Sequence, residues 1–174
     1  MLNTFKTVSG FIGQAMERIT GIRMTGDKPE NVFNFLKLSQ NIATSGQPNE
    51  RQLASIISAG YRTVINLAPL SKLENALVAE RSILDSMGVR YIHIPVDFEN
   101  PTDQDYQCFA QHMVENANEQ LWVHCAANMR VSAFMYRYRV CVLGVDKRVA
   151  RSDLNKIWEP FGVWKKFVES EKSF

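Results

Sequence analysis

Cys125, the arginine five residues after it and the histidine just before it are the side chains of this chain whose types and spacing best suit chemistry. They lie in the stretch Leu121-Trp122-Val123-His124-Cys125-Ala126-Ala127-Asn128-Met129-Arg130-Val131-Ser132. A helix start at the end of this loop would offer unpaired backbone N–H groups and the positive end of its dipole, which favour an anion, the thiolate form of a cysteine included. Arg130 adds a planar fork of donors matched to two oxygens of a phosphate or another oxyanion. A cation there is unfavourable by about 0.3–1 kcal/mol unless an anion compensates it, so Arg130 reads as an oxyanion clamp rather than a solvated charge. A nucleophile and a clamp would share one loop.

The elements that must position these groups can be read from hydrophobic spacing. Leu121 to Val123 is an apolar run that predicts a buried strand, and Val131, Phe134, Met135, Tyr138 and Val142 recur at helical spacing after it. Upstream, Asn49 with Gln52 forms a capping pair for a helix that buries Leu53, Ile56 and Ile57 and ends at Gly60. Arg62 to Leu67 follows as a strand. Ser71 with Glu74 predicts the start of a second helix over Leu77, Val78, Ile83, Leu84 and Met87, stopped by Gly88, and Tyr91 to Val96 is the next strand. Pro101 and Thr102 open a third helix with Tyr106, Phe109, Ala110, Met113 and Val114 in helical register. After Gly144 the chain reads as helical to Trp158, is broken by Pro160 and ends in a short helix over Val163 to Val168. This βαβαβ rhythm predicts an α/β fold with a mainly parallel central sheet flanked by helices, in which ligands bind beyond the carboxyl ends of the strands.

The order His-Cys, loop, Arg, Ser resembles the signature of the cysteine-dependent protein tyrosine and dual-specificity phosphatases, His-Cys-x-x-Gly-x-x-Arg-Ser/Thr. Two positions depart from it. Arg130 comes one residue early, with Val131 in the family's arginine position, and Asn128 replaces the glycine; asparagine is the non-glycine residue that best tolerates positive φ. Ser45-Gly46-Gln47-Pro48, Gly60-Tyr61-Arg62-Thr63-Val64-Ile65-Asn66-Leu67, Ile94-Pro95-Val96 and His124-Cys125, in that order, resemble the beta-lactamase-hydrolase-like phosphatase family over about Phe33 to Val168. The resemblance implies a dual-specificity-phosphatase fold, and the family includes members with the short loop. A Cys-x4-Arg loop also resembles that of rhodaneses, whose tighter ring suits a persulfide.

Under the phosphatase resemblance Cys125 attacks phosphorus and a phosphocysteine intermediate is then hydrolysed. The loop Ala126, Ala127, Asn128, Met129, Arg130 and Val131 cradles the phosphate. The resemblance gives His124 a supporting role toward the thiolate and Ser132 a part in its release, while packing and helix capping are the simpler readings of the two. The leaving group needs a proton from a carboxylic acid, and Asp97, directly after the Tyr91 to Val96 strand, lies where these phosphatases carry their acid loop. Glu99, Asp103 and Asp105 are its rivals. Rhodanese-like sulfur transfer through Cys125 and non-catalytic oxyanion binding remain the alternatives.

With 174 residues, 45% of them hydrophobic and 22% charged, the chain is expected to form one core, residues 29–174, after an N-terminal helical extension and linker at 1–28. In the extension Phe5, Val8, Ile12, Met16 and Ile19 share a helical stripe expected to pack on the domain or on a second copy, giving a homo-oligomer; Gly10 and Gly13 weaken the helix. A formal net charge of +2 without basic runs argues against nucleic acid, so the expected partner is a phosphorylated small molecule or protein. No stretch is long enough to span a membrane, and the free thiols with no signal-like start point to the cytoplasm. Cys108, Cys125 and Cys141 have no metal-type spacing, so neither metal nor cofactor is expected; Cys108 and Cys141 read as buried packing residues, His93 and His112 as unexceptional, and Trp158, Phe161 and Trp164 as core.

Overall fold

His124 ends the third of the predicted strands, and in the sheet it is flanked by Ser45 on one side and Asn66 on the other. The computed structural model describes residues 1–20, 26–71, 76–77 and 79–170. Five strands, β1 (Leu36–Lys37), β2 (Ile42–Ser45), β3 (Thr63–Asn66), β4 (Arg90–His93) and β5 (Leu121–His124), form one sheet in the order β1-β2-β5-β3-β4. All pairings are parallel except that of β1 with β2. The predicted mainly parallel sheet is therefore present, and β5 lies at its centre.

Helices cover both faces. Trp122 of β5 and Val64 of β3 point to the side of Leu53 and Ile56 on α2 (Glu50–Ser58) and Leu84 on α3 (Glu80–Ser86). Leu121, Val123 and Ile65 point to the other side, where α4 (Asp103–Glu115), α5 (Met129–Cys141), α6 (Lys147–Ile157) and α7 (Val163–Glu169) supply Phe109, Phe134, Leu154 and Phe167. Strands covered on both faces carry apolar runs rather than alternation, as Leu121 to Val123 does. Helix α5 is enclosed, and residues 129–138 are all buried. Its Arg137 survives there because Nη1 donates to Asp103 Oδ1 at 3.0 Å and the guanidinium lies 3.9 Å from the Tyr106 ring centroid.

Of the local capping signals, the one for α2 is present as expected. Asn49 with Gln52 and Thr102 with Asp105 each form a reciprocal capping box. The start of α3 is different: it begins at Glu80 rather than near Ser71, Leu77 precedes it, and Glu74 and Val78 lie outside the described residues. Strands β1 and β2 have no counterpart among the expected elements. Of the expected core residues, Phe161 is 59% exposed and packs edge-on against the buried Trp158. Val114 is also exposed. Cys108 is exposed rather than buried, and Cys141 is half-buried. Partial burial, Asp105 and Glu115 all push the Cys108 thiol upward, away from the thiolate.

The N-terminal helix α1 (Leu2–Thr20) docks by a face other than its apolar stripe. Asn3 Nδ2 donates to Asn155 O at 2.8 Å and Thr7 Oγ1 to Ile157 O at 2.6 Å, so backbone carbonyls of α6 hold it. Gly10 faces Phe33 so closely that a Cβ there would lie 2.4 Å from the ring, which gives this glycine a packing reason. Phe5, Val8, Ile12 and Met16 remain exposed. Among the described residues no helix is long and apolar enough to cross a membrane.

Candidate active site

The loop after β5 is held from below by the end of β2. Cys125 N–H donates to Ser45 O at 3.3 Å and Gln47 N–H to Ala126 O at 3.2 Å, while Gly46 and Ala127 form an isolated bridge. A side chain at Gly46 would meet Ala126 O at 3.0 Å and Phe33 O at 3.1 Å, so the close approach favours glycine. Asn128 closes the loop at φ 64°, the left-handed conformation expected of it. Its Nδ2 donates to Asn34 O at 2.7 Å and Thr44 Oγ1 at 3.0 Å, and Asn34 Nδ2 donates back to Ala127 O at 2.9 Å. Helix α5 then begins at Met129 with neither a side-chain cap nor an acidic residue in its first turn. The first N–H groups of such a helix have no acceptor within it.

A cavity of about 560 Å³ opens over this loop. Cys125, Ala126, Ala127, Met129 and Arg130 line it, with Pro95, Asp97, Phe98 and Glu99 from the loop after β4. Arg130 is only 3% exposed, and its guanidinium carbon lies 5.1 Å from the Phe98 ring centroid. Arg130 thus turns inward although it comes one residue early. The carboxylates separate cleanly. Asp97 and Glu99 reach the cavity, whereas Asp103 pairs with Arg137 and Asp105 caps α4 through Thr102. Asp97 Oδ1 accepts from Glu99 N–H at 2.9 Å, a turn that ties the loop after β4 to itself.

Four expected site residues do not line the cavity. Val131 is fully buried in the core, and Ser132 Oγ donates to Met129 O at 3.0 Å and accepts from Trp158 Nε1 at 3.2 Å. Asn128 acts through the bonds described above. His124 lies behind the cysteine, with Nε2 3.0 Å from Glu80 Oε1, both residues being essentially inaccessible. Glu80 also accepts from Gln47 Nε2 at 2.8 Å, Asn66 Nδ2 at 2.9 Å and the Tyr91 hydroxyl at 2.9 Å. Burial pushes the Glu80 carboxyl upward, but the charge and hydrogen bond of His124, with the donors of Gln47 and Tyr91, outweigh it and hold the carboxyl below its ordinary range. Tyr91, buried and beside that carboxylate, is pushed strongly upward and stays a donor.

Glu80 had a legible signal: it falls three residues after Leu77 and four before Leu84, on the apolar register of its segment. The other unforeseen contributors, Thr7, Val8 and Phe11 of α1, Pro69, and Phe98, carry no such mark. Among the described residues no cluster of three or more metal-ligating side chains is present.

The family described as a DSP-PTPase phosphatase fused to NAD+ kinase matches residues 28–160. The chain belongs to that family. As a member of it, the chain falls within the protein tyrosine and dual-specificity phosphatase superfamily. It is 27% identical over 132 residues to the beta-lactamase hydrolase-like protein of Xylella fastidiosa, covering 75% of this chain and 30% of that protein. The corresponding protein of Agrobacterium fabrum is 26% identical over 131 residues, 73% of this chain and 29% of its own length. The chain thus spans about 30% of the length of these relatives. A DUF442 protein from Shewanella putrefaciens has the same fold, with TM-score 0.70 and 29% identity over 80% of this chain and 91% of that one. TpbA of P. aeruginosa, solved with pTyr, shares the fold at TM-score 0.59 and 20% identity, covering 74% of each chain.

Proposed function

We propose that the chain is a cysteine-dependent phosphatase that hydrolyses phosphomonoesters through a phosphocysteine intermediate. The observation that carries this reading is that Cys125, Arg130 and Asp97 line one cavity at the capless start of α5. The Cys125 thiolate attacks phosphorus as the ester oxygen leaves, and Arg130 with the first N–H groups of α5 holds the equatorial oxygens. Asp97 protonates the departing oxygen, and as a carboxylate it then takes a proton from the water that frees Cys125 and releases phosphate. His124, braced by Glu80, orders the loop from behind. For Ser132 we propose packing against Trp158 in place of a part in thiolate release. Residues 1–28 would form an extension to a phosphatase domain at 29–174.

The test is release of phosphate from p-nitrophenyl phosphate and phenyl phosphate by the purified protein, beside Cys125→Ser, Asp97→Asn and Glu99→Gln. Cys125→Ser is expected to abolish turnover. Asp97→Asn is expected to slow phenyl phosphate by about a hundredfold and p-nitrophenyl phosphate, whose leaving group needs less help, by much less. A larger loss in Glu99→Gln would transfer the acid role to Glu99. The Cys-x4-Arg spacing favours a second reading, sulfur transfer, so thiosulfate with cyanide is assayed in parallel. Thiocyanate without phosphate release would replace the phosphatase reading, and silence in both assays with retained phosphate binding would leave an oxyanion-binding module.

A further inference from the structure

The cavity draws on two parts of the chain. Its floor and acid loop come from residues within the 28–160 family match, whereas Thr7, Val8 and Phe11 belong to α1, which lies outside that match. Helix α1 is tied to the active-site loop itself. Thr7, only 2% exposed, donates to Ile157 O and accepts from Asn34 Nδ2 at 3.0 Å, and the same Asn34 Nδ2 donates to Ala127 O at 2.9 Å. One side chain thus positions both the helix and the loop that carries Cys125.

What α1 brings to the cavity is apolar. Val8 and Phe11 add to Phe98, Pro69 and Pro95. Among the described lining residues Arg130 is the one cation, set against the carboxylates of Asp97 and Glu99. A second phosphate on the substrate would meet the acidic side chains of Asp97 and Glu99 and, among the described lining residues, no second cation, whereas a ring would meet aromatic and aliphatic surface.

Resting on the phosphatase reading above, we propose that Val8 and Phe11 are specificity-determining residues: α1 is a wall that selects esters carrying one phosphate on an apolar, ring-sized group and rejects polyphosphorylated ones. Because the wall acts in binding, it can be tested without turnover. Titration calorimetry of the full chain with benzylphosphonate and methylphosphonate is expected to show tighter binding of the benzyl compound. Phe11→Ala is expected to narrow that preference by about fivefold to tenfold. Val8 is 46% exposed, so Val8→Lys should fold normally, as circular dichroism would verify. It is expected to weaken benzylphosphonate relative to methylphosphonate and to strengthen methylenebisphosphonate. An unchanged benzyl preference in both folded variants would overturn the wall while leaving the phosphatase reading intact. Failure of the unaltered chain to bind either monophosphonate would overturn the oxyanion site, and the wall with it.

Discussion

Two helix starts face the same end of the sheet region with opposite designs. Helix α4 is closed by its own side chains: Thr102 Oγ1 accepts from Asp105 N–H at 3.1 Å, Asp105 Oδ2 accepts from Thr102 N–H at 3.0 Å, and Asp103 and Asp105 place negative charge on the dipole. Helix α5 has no side-chain cap, no acid in its first turn, and an arginine there instead. The first arrangement satisfies its donors internally. The second has no side chain closing it and places a cation where the dipole favours an anion, which is the arrangement the proposed phosphate site would use. On the proposed reading, the cap that is complete within the chain is structural, and the incomplete one beside Cys125 is where phosphate binds.

Arg130→Lys is the strongest way to break that contrast. If the fork of Arg130 binds the transferring phosphoryl group, kcat/KM for an aryl phosphate should fall by about 10²–10³, because a point charge cannot replace two aligned donors. Steady-state kinetics on the folded variant decides it. Retention of more than about a tenth of the activity would reduce Arg130 to a buried structural charge stacked on Phe98.

Glu80→Gln asks how far the α5 end is supported from behind. The substitution replaces a carboxylate that accepts from Gln47, Asn66 and Tyr91 and lies 3.0 Å from His124 Nε2, so buried donors lose their acceptor and about 1–3 kcal/mol should be lost in denaturant unfolding. The pH dependence has a definite sign. The Glu80 carboxyl is held below its ordinary value of 4.5, so its contribution is present above that pH and is lost as pH falls from about 4.5 through the lower folded value. Glu80→Gln should therefore flatten the acid limb of the stability curve. An acid limb identical to that of the unaltered chain would show that other carboxylates set it.

Why some of this was legible and some was not follows from where the determining contacts lie. The caps of α2 and α4 are decided within four residues, so Asn49 with Gln52 reveals the first directly and Thr102 marks the start of the second, although Asp105, which completes that cap, stands in the sequence as a rival acid. Strand β2 is decided by β5, about eighty residues later in the chain, and Ile42-Ala43-Thr44-Ser45 shows little of its own preference. Cys125, Arg130 and Asp97 stand out because their chemistry is uncommon at such positions. Thr7, Phe11 and Glu80 reach the site region only through tertiary packing. Val131 and Ser132 were harder to place from sequence: α5 begins at Met129, so successive residues turn about 100° around its axis and the side chains of these two enter buried faces of the helix, which leaves Val131 only its backbone N–H to offer the loop.

Thr102→Ala is the mildest change and completes the comparison from the other helix. It removes the acceptor for Asp105 N–H and should cost about 1 kcal/mol, lowering Tm by about 2–4 °C. Thr102 does not line the cavity, so turnover of an aryl phosphate should stay within about twofold if the α4 start is purely a closed cap. A thermal shift without a kinetic effect would keep the two helix ends distinct in role. Loss of turnover comparable to that of Asp97→Asn would mean instead that the α4 cap holds the Asp97 loop in place, since only four residues separate Asp97 from Thr102. The cap would then belong to the catalytic apparatus as a positioning element, and its closure would serve the open end of α5.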